Sequence, residues 1–132
     1  MATVLLVDDD AAYRNALRAF LEASYDLRVV GDTADGREAI ELAQQLRPDA
    51  IVVDLAMPGL GGLDTARAIT ETLPGTIVVV ATGVGASEER SRADAAGVDA
   101  WVTKGDPLQI ENTLRSLLRS GARYGGGGRS QT

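Results

Sequence analysis

Residues 4–12 read VLLVDDDAA. Four apolar residues, Val4 to Val7, run directly into Asp8, Asp9 and Asp10. A short apolar run of this kind reads as a strand buried on both faces. Three adjacent carboxylates repel one another, and each resists leaving water. Acids at the mouth of a core therefore need a reason, and the rest of the chain supplies one.

Outward from this stretch, short apolar runs alternate with segments of helical period. TVLLV (3–7) is the first strand. Asp10 can N-cap a helix whose apolar face is Tyr13, Leu17, Phe20 and Leu21. DLRVVGDT (26–33) reads as a second strand, and DGREAIELAQQLR (35–47) as a helix with Ala39, Ile40, Ala43 and Leu46 inward, stopped by Pro48. AIVVDL (50–55) is a third strand. PGLGG (58–62) is a loop in which Gly61 and Gly62, like Gly36 earlier, are most simply turn residues. LDTARAITETL (63–73) is a helix closed by Pro74 and Gly75, and TIVVVAT (76–82) is a fourth strand. SEERSRADAA (87–96) reads as a helix with Ser87 as N-cap and Gly97 as C-terminal stop. DAWVT (99–103) is a fifth strand. PLQIENTLRSLLRS (107–120) is the last helix, with Leu108, Ile110 or Glu111, Leu114, Leu117 and Leu118 on its apolar side. The tail GARYGGGGRSQT (121–132) has no periodicity and is expected to be a flexible tail or linker beyond a single domain, 1–120.

Five strands alternating with five helices imply an α/β fold with a parallel sheet covered on both faces. Right-handed crossovers favour a doubly wound sheet. The bulk numbers agree: 132 residues, 45% hydrophobic, suit one domain with a real core. A net charge of −6 and the lack of a long basic run weigh against nucleic-acid binding by this chain alone. With no cysteine and no histidine, acid–base and metal chemistry must use carboxylates, hydroxyls or lysine. Neither a signal peptide nor an apolar run of about 20 residues is present, so a cytoplasmic protein without a membrane partner is expected.

In such a sheet, ligands bind beyond the carboxyl ends of the strands, near the point where strand order reverses. Strand one ends in Asp8 and Asp9, strand three in Asp54, strand four in Thr82, and strand five leads to Lys104. Gathered in one crevice, three carboxylates should protonate or recruit a cation. An all-oxygen cluster suits Mg²⁺, Mn²⁺ or Ca²⁺ rather than zinc or copper. One carboxylate can then act as a nucleophile toward phosphorus and form an aspartyl phosphate. A metal and Lys104 would offset charge on the transferring oxygens, and Thr82 can hydrogen-bond one of them.

Four separated motifs, LLVDDD, VVDLAMPGLGG, VVVATG and AWVTK, stand in order along the chain. With them, residues 2–120 resemble the receiver domain of bacterial two-component response regulators. The resemblance implies a flavodoxin-like (βα)5 fold with strand order 2-1-3-4-5. It implies Asp54 as phosphoacceptor, with Asp8, Asp9, Asp54 and the backbone carbonyl of Ala56 as ligands of Mg²⁺ (Mn²⁺ as a substitute). It implies Lys104 on the phosphoryl group, and Thr82 and Trp101 as a switch pair. The partner implied is a sensor histidine kinase or phosphotransfer protein. A partner or a second copy, as a homodimer, would bind the surface built from helix 87–96, strand 99–103 and helix 107–120. The chain is then a signalling protein that takes part in its own phosphoryl transfer and dephosphorylation, not an enzyme. One departure stands out: the family's lysine is commonly followed by proline, but here Gly105 follows Lys104. A cis bond to a non-proline residue costs about 2.5–4 kcal/mol, so a trans bond and a less restrained loop are expected.

Two other functions fit parts of the sequence. DDDAA resembles the D-x-D start of haloacid-dehalogenase-type phosphatases, which also use an aspartyl nucleophile. Ala12, however, stands where that family has Thr or Val, and no cap domain or later acidic pair fits. A degenerate receiver that binds partners without phosphorylation would be expected to lack site residues, and none is missing. GVGASE (83–88) hints at a phosphate loop but lacks the third glycine.

Overall fold

A computed structural model describes residues 1–83 and 96–120. Residues 87–95 of the expected fourth helix, its Ser87 cap, most of the 83–88 loop and the tail 121–132 lie outside the described residues. Strands β1 (Ala2–Val7), β2 (Leu27–Thr33), β3 (Ala50–Asp54), β4 (Ile77–Thr82) and β5 (Ala100–Thr103) form one sheet in the order β2-β1-β3-β4-β5. Every pairing is parallel. Helices α1 (Ala11–Glu22), α2 (Gly36–Leu46), α3 (Gly62–Thr72) and a C-terminal helix (Pro107–Arg119) cover it.

Side chains alternate across a strand, so each central strand feeds two cores. Val4, Leu6, Val52, Ile77 and Val79 pack with Leu17 and Leu21 of α1 and Ile110 and Leu114 of the C-terminal helix. Leu5, Val7, Ile51, Val53, Val78 and Val80 pack on the other face with Ala39 and Ala43 of α2 and Ala66 and Ile69 of α3. That is why these strands read as unbroken apolar runs and not as alternating ones.

The helix starts follow their caps. Asp10 accepts the amide of Tyr13 at 3.1 Å, and Asp35 accepts that of Arg37 at 2.9 Å. Asp106 accepts the amide of Leu108 at 3.0 Å, with Pro107 at the first helical position, where its missing N–H is no loss. α2 ends one residue earlier than the pattern suggests. Arg47 takes a left-handed cap at φ 46°, because a residue before proline is driven out of the helical region. Two apolar assignments fail at helix ends. Leu46 is 41% exposed and reaches over Gly31 of β2, and Leu108 is 49% exposed in the first turn of its helix. Periodicity places both on the inner face, but at an end the core no longer lies beneath that face.

Candidate functional site

The register of the sheet builds the site. Val7 pairs with Val53, Asp54 with Ala81 and Thr82 with Thr103. Four strands therefore end at one level, and the residues that close them share one rim beside the β1/β3 switch point. Asp8, Asp54 and Thr82 are 5%, 6% and 3% exposed, whereas Asp9 faces solvent. The ammonium of Lys104 lies 2.7 Å from Asp8 Oδ2 and 3.6 Å from Asp54 Oδ2. Its own amide donates to the carbonyl of Thr82 at 2.9 Å, which ties the lysine to the end of β4. All peptide bonds among the described residues are trans, including the one between Lys104 and Gly105.

One carboxylate oxygen from each of Asp8, Asp9 and Asp54 lies within 4.8 Å of the others. Ionised, they bring three negative charges to a pocket where, among the described residues, one positive charge, that of Lys104, pairs with them. A hard divalent cation fits both that charge and that donor set. The strain shows at Asp54, whose carboxyl is pushed up to about 6. Burial is the main cause and the charge of Asp8 the next. Lys104 and the amide of Ala56, which donates to the carboxylate, pull the other way. At Lys104 burial works against the ammonium, but the bond to Asp8 and the charge of Asp54 outweigh it and hold its pKa above the ordinary value.

Asp8 is held from two sides. Its Oδ1 accepts the amide of Asp10 at 2.9 Å, and its backbone carbonyl accepts from Arg14 at 2.6 Å. Arg14 also donates to Asp32 at 3.0 Å, and Arg18 pairs with the same carboxylate. Asp32, near the end of β2, thus anchors arginines.

Gly62 brings Asp54 into place in a way the turn reading misses. A Cβ there would lie 2.0 Å from the carbonyl oxygen of Asp54 and 2.8 Å from Cα of Leu55. Only glycine lets the first turn of α3 press against the strand end that carries the acid. Gly36 is similar, with Thr65 Oγ1 at 2.3 Å, while Gly61 has open space. Gly62→Ala is therefore expected to destabilise by more than about 4 kcal/mol, the range of severe single substitutions. Gly61→Ala should cost within about 1 kcal/mol, the scale of a changed N-cap. Urea unfolding of both variants checks this, and equal midpoints would contradict it.

Two residues near the acids were not legible as site residues. Tyr13, expected on the apolar face of α1, places its ring under the ammonium of Lys104 at 4.4 Å and donates its hydroxyl to the carbonyl of Lys104 at 3.3 Å. Arg14 had no sequence signal at all. Lys104 did have one, its place just beyond the fifth strand in AWVTK. Trp101 is partly buried, lies opposite Val80 of β4 and packs against the core on the α2/α3 side of the sheet. Thr103, on the same face of β5, is exposed.

Among the described residues no helix is long and apolar enough to cross a membrane. Residues 4–115 match the response regulator receiver domain family. The chain is 35% identical over 122 residues to the nitrate/nitrite response regulator protein NarL of Escherichia coli, covering 92% of this chain and 55% of that protein. It is 34% identical over 125 residues to the response regulator GacA of Pseudomonas aeruginosa, covering 94% and 58%. It therefore spans little more than half the length of these relatives. A two-component response regulator of the LuxR family from an Aurantimonas species superposes with a TM-score of 0.86 at 31% identity, covering 90% of this chain and 86% of that one. A receiver domain protein of Methanospirillum hungatei, 21% identical over 95% of this chain and 99% of its own, has the same fold with a TM-score of 0.86. Sheet order, acidic pocket and sequence agree, and the chain belongs to the response regulator receiver domain family.

Proposed function

We propose that the chain is a phosphorylation-dependent signalling switch. Asp54 accepts a phosphoryl group from the phosphohistidine of a sensor histidine kinase or phosphotransfer protein. The observation that carries this reading is Asp54 itself: a buried strand-end carboxylate, held above its ordinary pKa, sharing its pocket with Asp8, Asp9 and Lys104. An oxygen of Asp54 attacks phosphorus, and the bond from phosphorus to the donor's imidazole nitrogen breaks. Its electron pair stays on that nitrogen, and Asp54 becomes an acyl phosphate. Lys104, already 3.6 Å from the Asp54 carboxylate, meets the negative charge of the arriving oxygens. Thr82, at the end of the next strand, offers them a hydroxyl. Asp8, Asp9, Asp54 and the Ala56 carbonyl would hold Mg²⁺ or Mn²⁺, which supplies further positive charge to the transferring group.

Acetyl phosphate with Mg²⁺ separates this reading from its rivals. A switch takes up one phosphoryl equivalent, an aspartyl-nucleophile phosphatase turns over many, and a degenerate receiver takes up none. Intact-mass measurement against released phosphate distinguishes the three.

The change would be read at the surface around β5. Thr82 moves toward the phosphoryl group, and Trp101 turns into the room it leaves. A partner or a second copy binds the altered face. Trp101 is the only tryptophan, so its emission reports this directly. Beryllofluoride with Mg²⁺ is expected to change the emission, and Thr82→Ala to remove the change. Constant emission with Asp54 occupied would leave Trp101 a packing residue only.

A further inference from the structure

The ammonium of Lys104 has three N–H donors and a position to keep. Asp8 takes one side of it at 2.7 Å and Asp54 lies at 3.6 Å. The face of Tyr13 closes another side at 4.4 Å from the ring centroid, inside the range of a cation–π contact. The Tyr13 hydroxyl donates to the lysine's own carbonyl at 3.3 Å. One side chain on α1 therefore grips both ends of a residue 91 positions away. The restraint has a reason here. Gly105 follows Lys104 with open space around it, so the loop after β5 has no ring-locked residue to hold it.

We propose that Tyr13 is a positioning residue for Lys104. It holds the ammonium toward Asp54 when a cation claims Asp8. In the structure Lys104 spends its shortest bond on Asp8, which is also a proposed metal ligand. A cation held by Asp8 would satisfy its charge and weaken that bond. The aromatic face does not compete for the metal, so it keeps the lysine beside Asp54, where the transferring group arrives. The burial that raises the Tyr13 phenol above its ordinary value also keeps it a neutral O–H donor.

This role rests on the phosphoryl-acceptor reading, and the test separates the two. Wild type, Tyr13→Phe and Tyr13→Leu are compared in three measurements: phosphoryl uptake from acetyl phosphate at saturating Mg²⁺, the Kd for Mg²⁺ alone, and the NMR signal of ¹³C-labelled lysine. Lys104 is the only lysine, so that signal is a single one. Tyr13→Leu is expected to slow uptake roughly threefold to thirtyfold, the scale of a partly desolvated cation–π contact. Its Kd for Mg²⁺ should stay within about twofold of wild type, since the cation–π contact and the hydrogen bond of Tyr13 go to Lys104 and not to a carboxylate. The ring-current shift on the Lys104 side chain should vanish in Tyr13→Leu and persist in Tyr13→Phe, and Tyr13→Phe should keep most of the rate. Uptake in Tyr13→Leu equal to wild type overturns the role, as does a lysine signal that ignores loss of the ring. A Kd that weakens in step with the rate would mean a general disturbance of the site, and also overturns it. If wild type itself takes up no phosphoryl group, the function falls first and the role falls with it.

Discussion

Replacing Asp54 by alanine is expected to abolish phosphoryl uptake from acetyl phosphate and to leave the fold intact. The loss should be on the order of 10³-fold or more, the scale seen when a nucleophile is removed from its site. The stability expectation comes from the electrostatics. Ionised Asp54 is buried against Asp8, and its carboxyl is pushed up to about 6. Removing it takes away repulsion and leaves the closer Lys104–Asp8 pair in place. Without metal, Asp54→Ala and Asp54→Asn should therefore melt at or above the wild-type temperature at neutral pH. Asp54→Asn keeps the shape of the side chain and loses the nucleophile, so it should be equally inert. Mass spectra showing wild-type phosphorylation in either variant would remove Asp54 from its role.

Metal should bind weakly, stabilise the protein, and be required for uptake. Mg²⁺ gives up its waters reluctantly, and few protein ligands are on offer here. At ten times Kd, binding to the folded state alone contributes about 1.4 kcal/mol, or roughly 5 °C for a domain of this size. The pH dependence has a definite sign. Asp54 titrates at about 6 in the fold against an ordinary value of 3.8. A carboxyl raised on folding contributes stability below about 4 and loses it as pH rises through about 6. In EDTA the protein should accordingly lose stability over that window. Mg²⁺ should restore it, and should raise the melting temperature more at pH 8 than at pH 5, where the protonated acid competes. Asp9 is exposed, so Asp9→Ala should leave the metal-free melt unchanged, weaken Mg²⁺ at least about tenfold and block uptake. Calorimetric titration of the variant checks the affinity. A wild-type Kd would remove Asp9 from the ligand set.

The sheet and its acids were legible because one physical rule governs both. Central strands buried on two faces read as VLLV, IVV and IVVV, and the residues that end each run must lie at the carboxyl edge. Asp8, Asp54, Thr82 and Lys104 are placed by that rule, and the register brings them to one rim. The illegible part depends on contacts between elements distant in sequence. Tyr13 falls on the helical face that meets the core, and only the meeting of the first turn of α1 with Lys104, just past β5, gives it a place in the site. Gly62 reads as a turn residue, because the approach of α3 to the Asp54 carbonyl leaves no mark on local sequence. Leu46 and Leu108 obey the helical period, but period says nothing about where the covering surface ends.

The phosphoryl group is expected to reside on Asp54. Wild-type protein is treated with acetyl phosphate and Mg²⁺, then reduced with borohydride, which converts an acyl phosphate into the corresponding alcohol. Peptide mapping should find homoserine at position 54, in one equivalent per chain at most, with Asp8 and Asp9 unmodified and no conversion in EDTA. Homoserine at position 8 or 9, or untouched Asp54 in protein that has gained a phosphoryl group, would contradict that assignment.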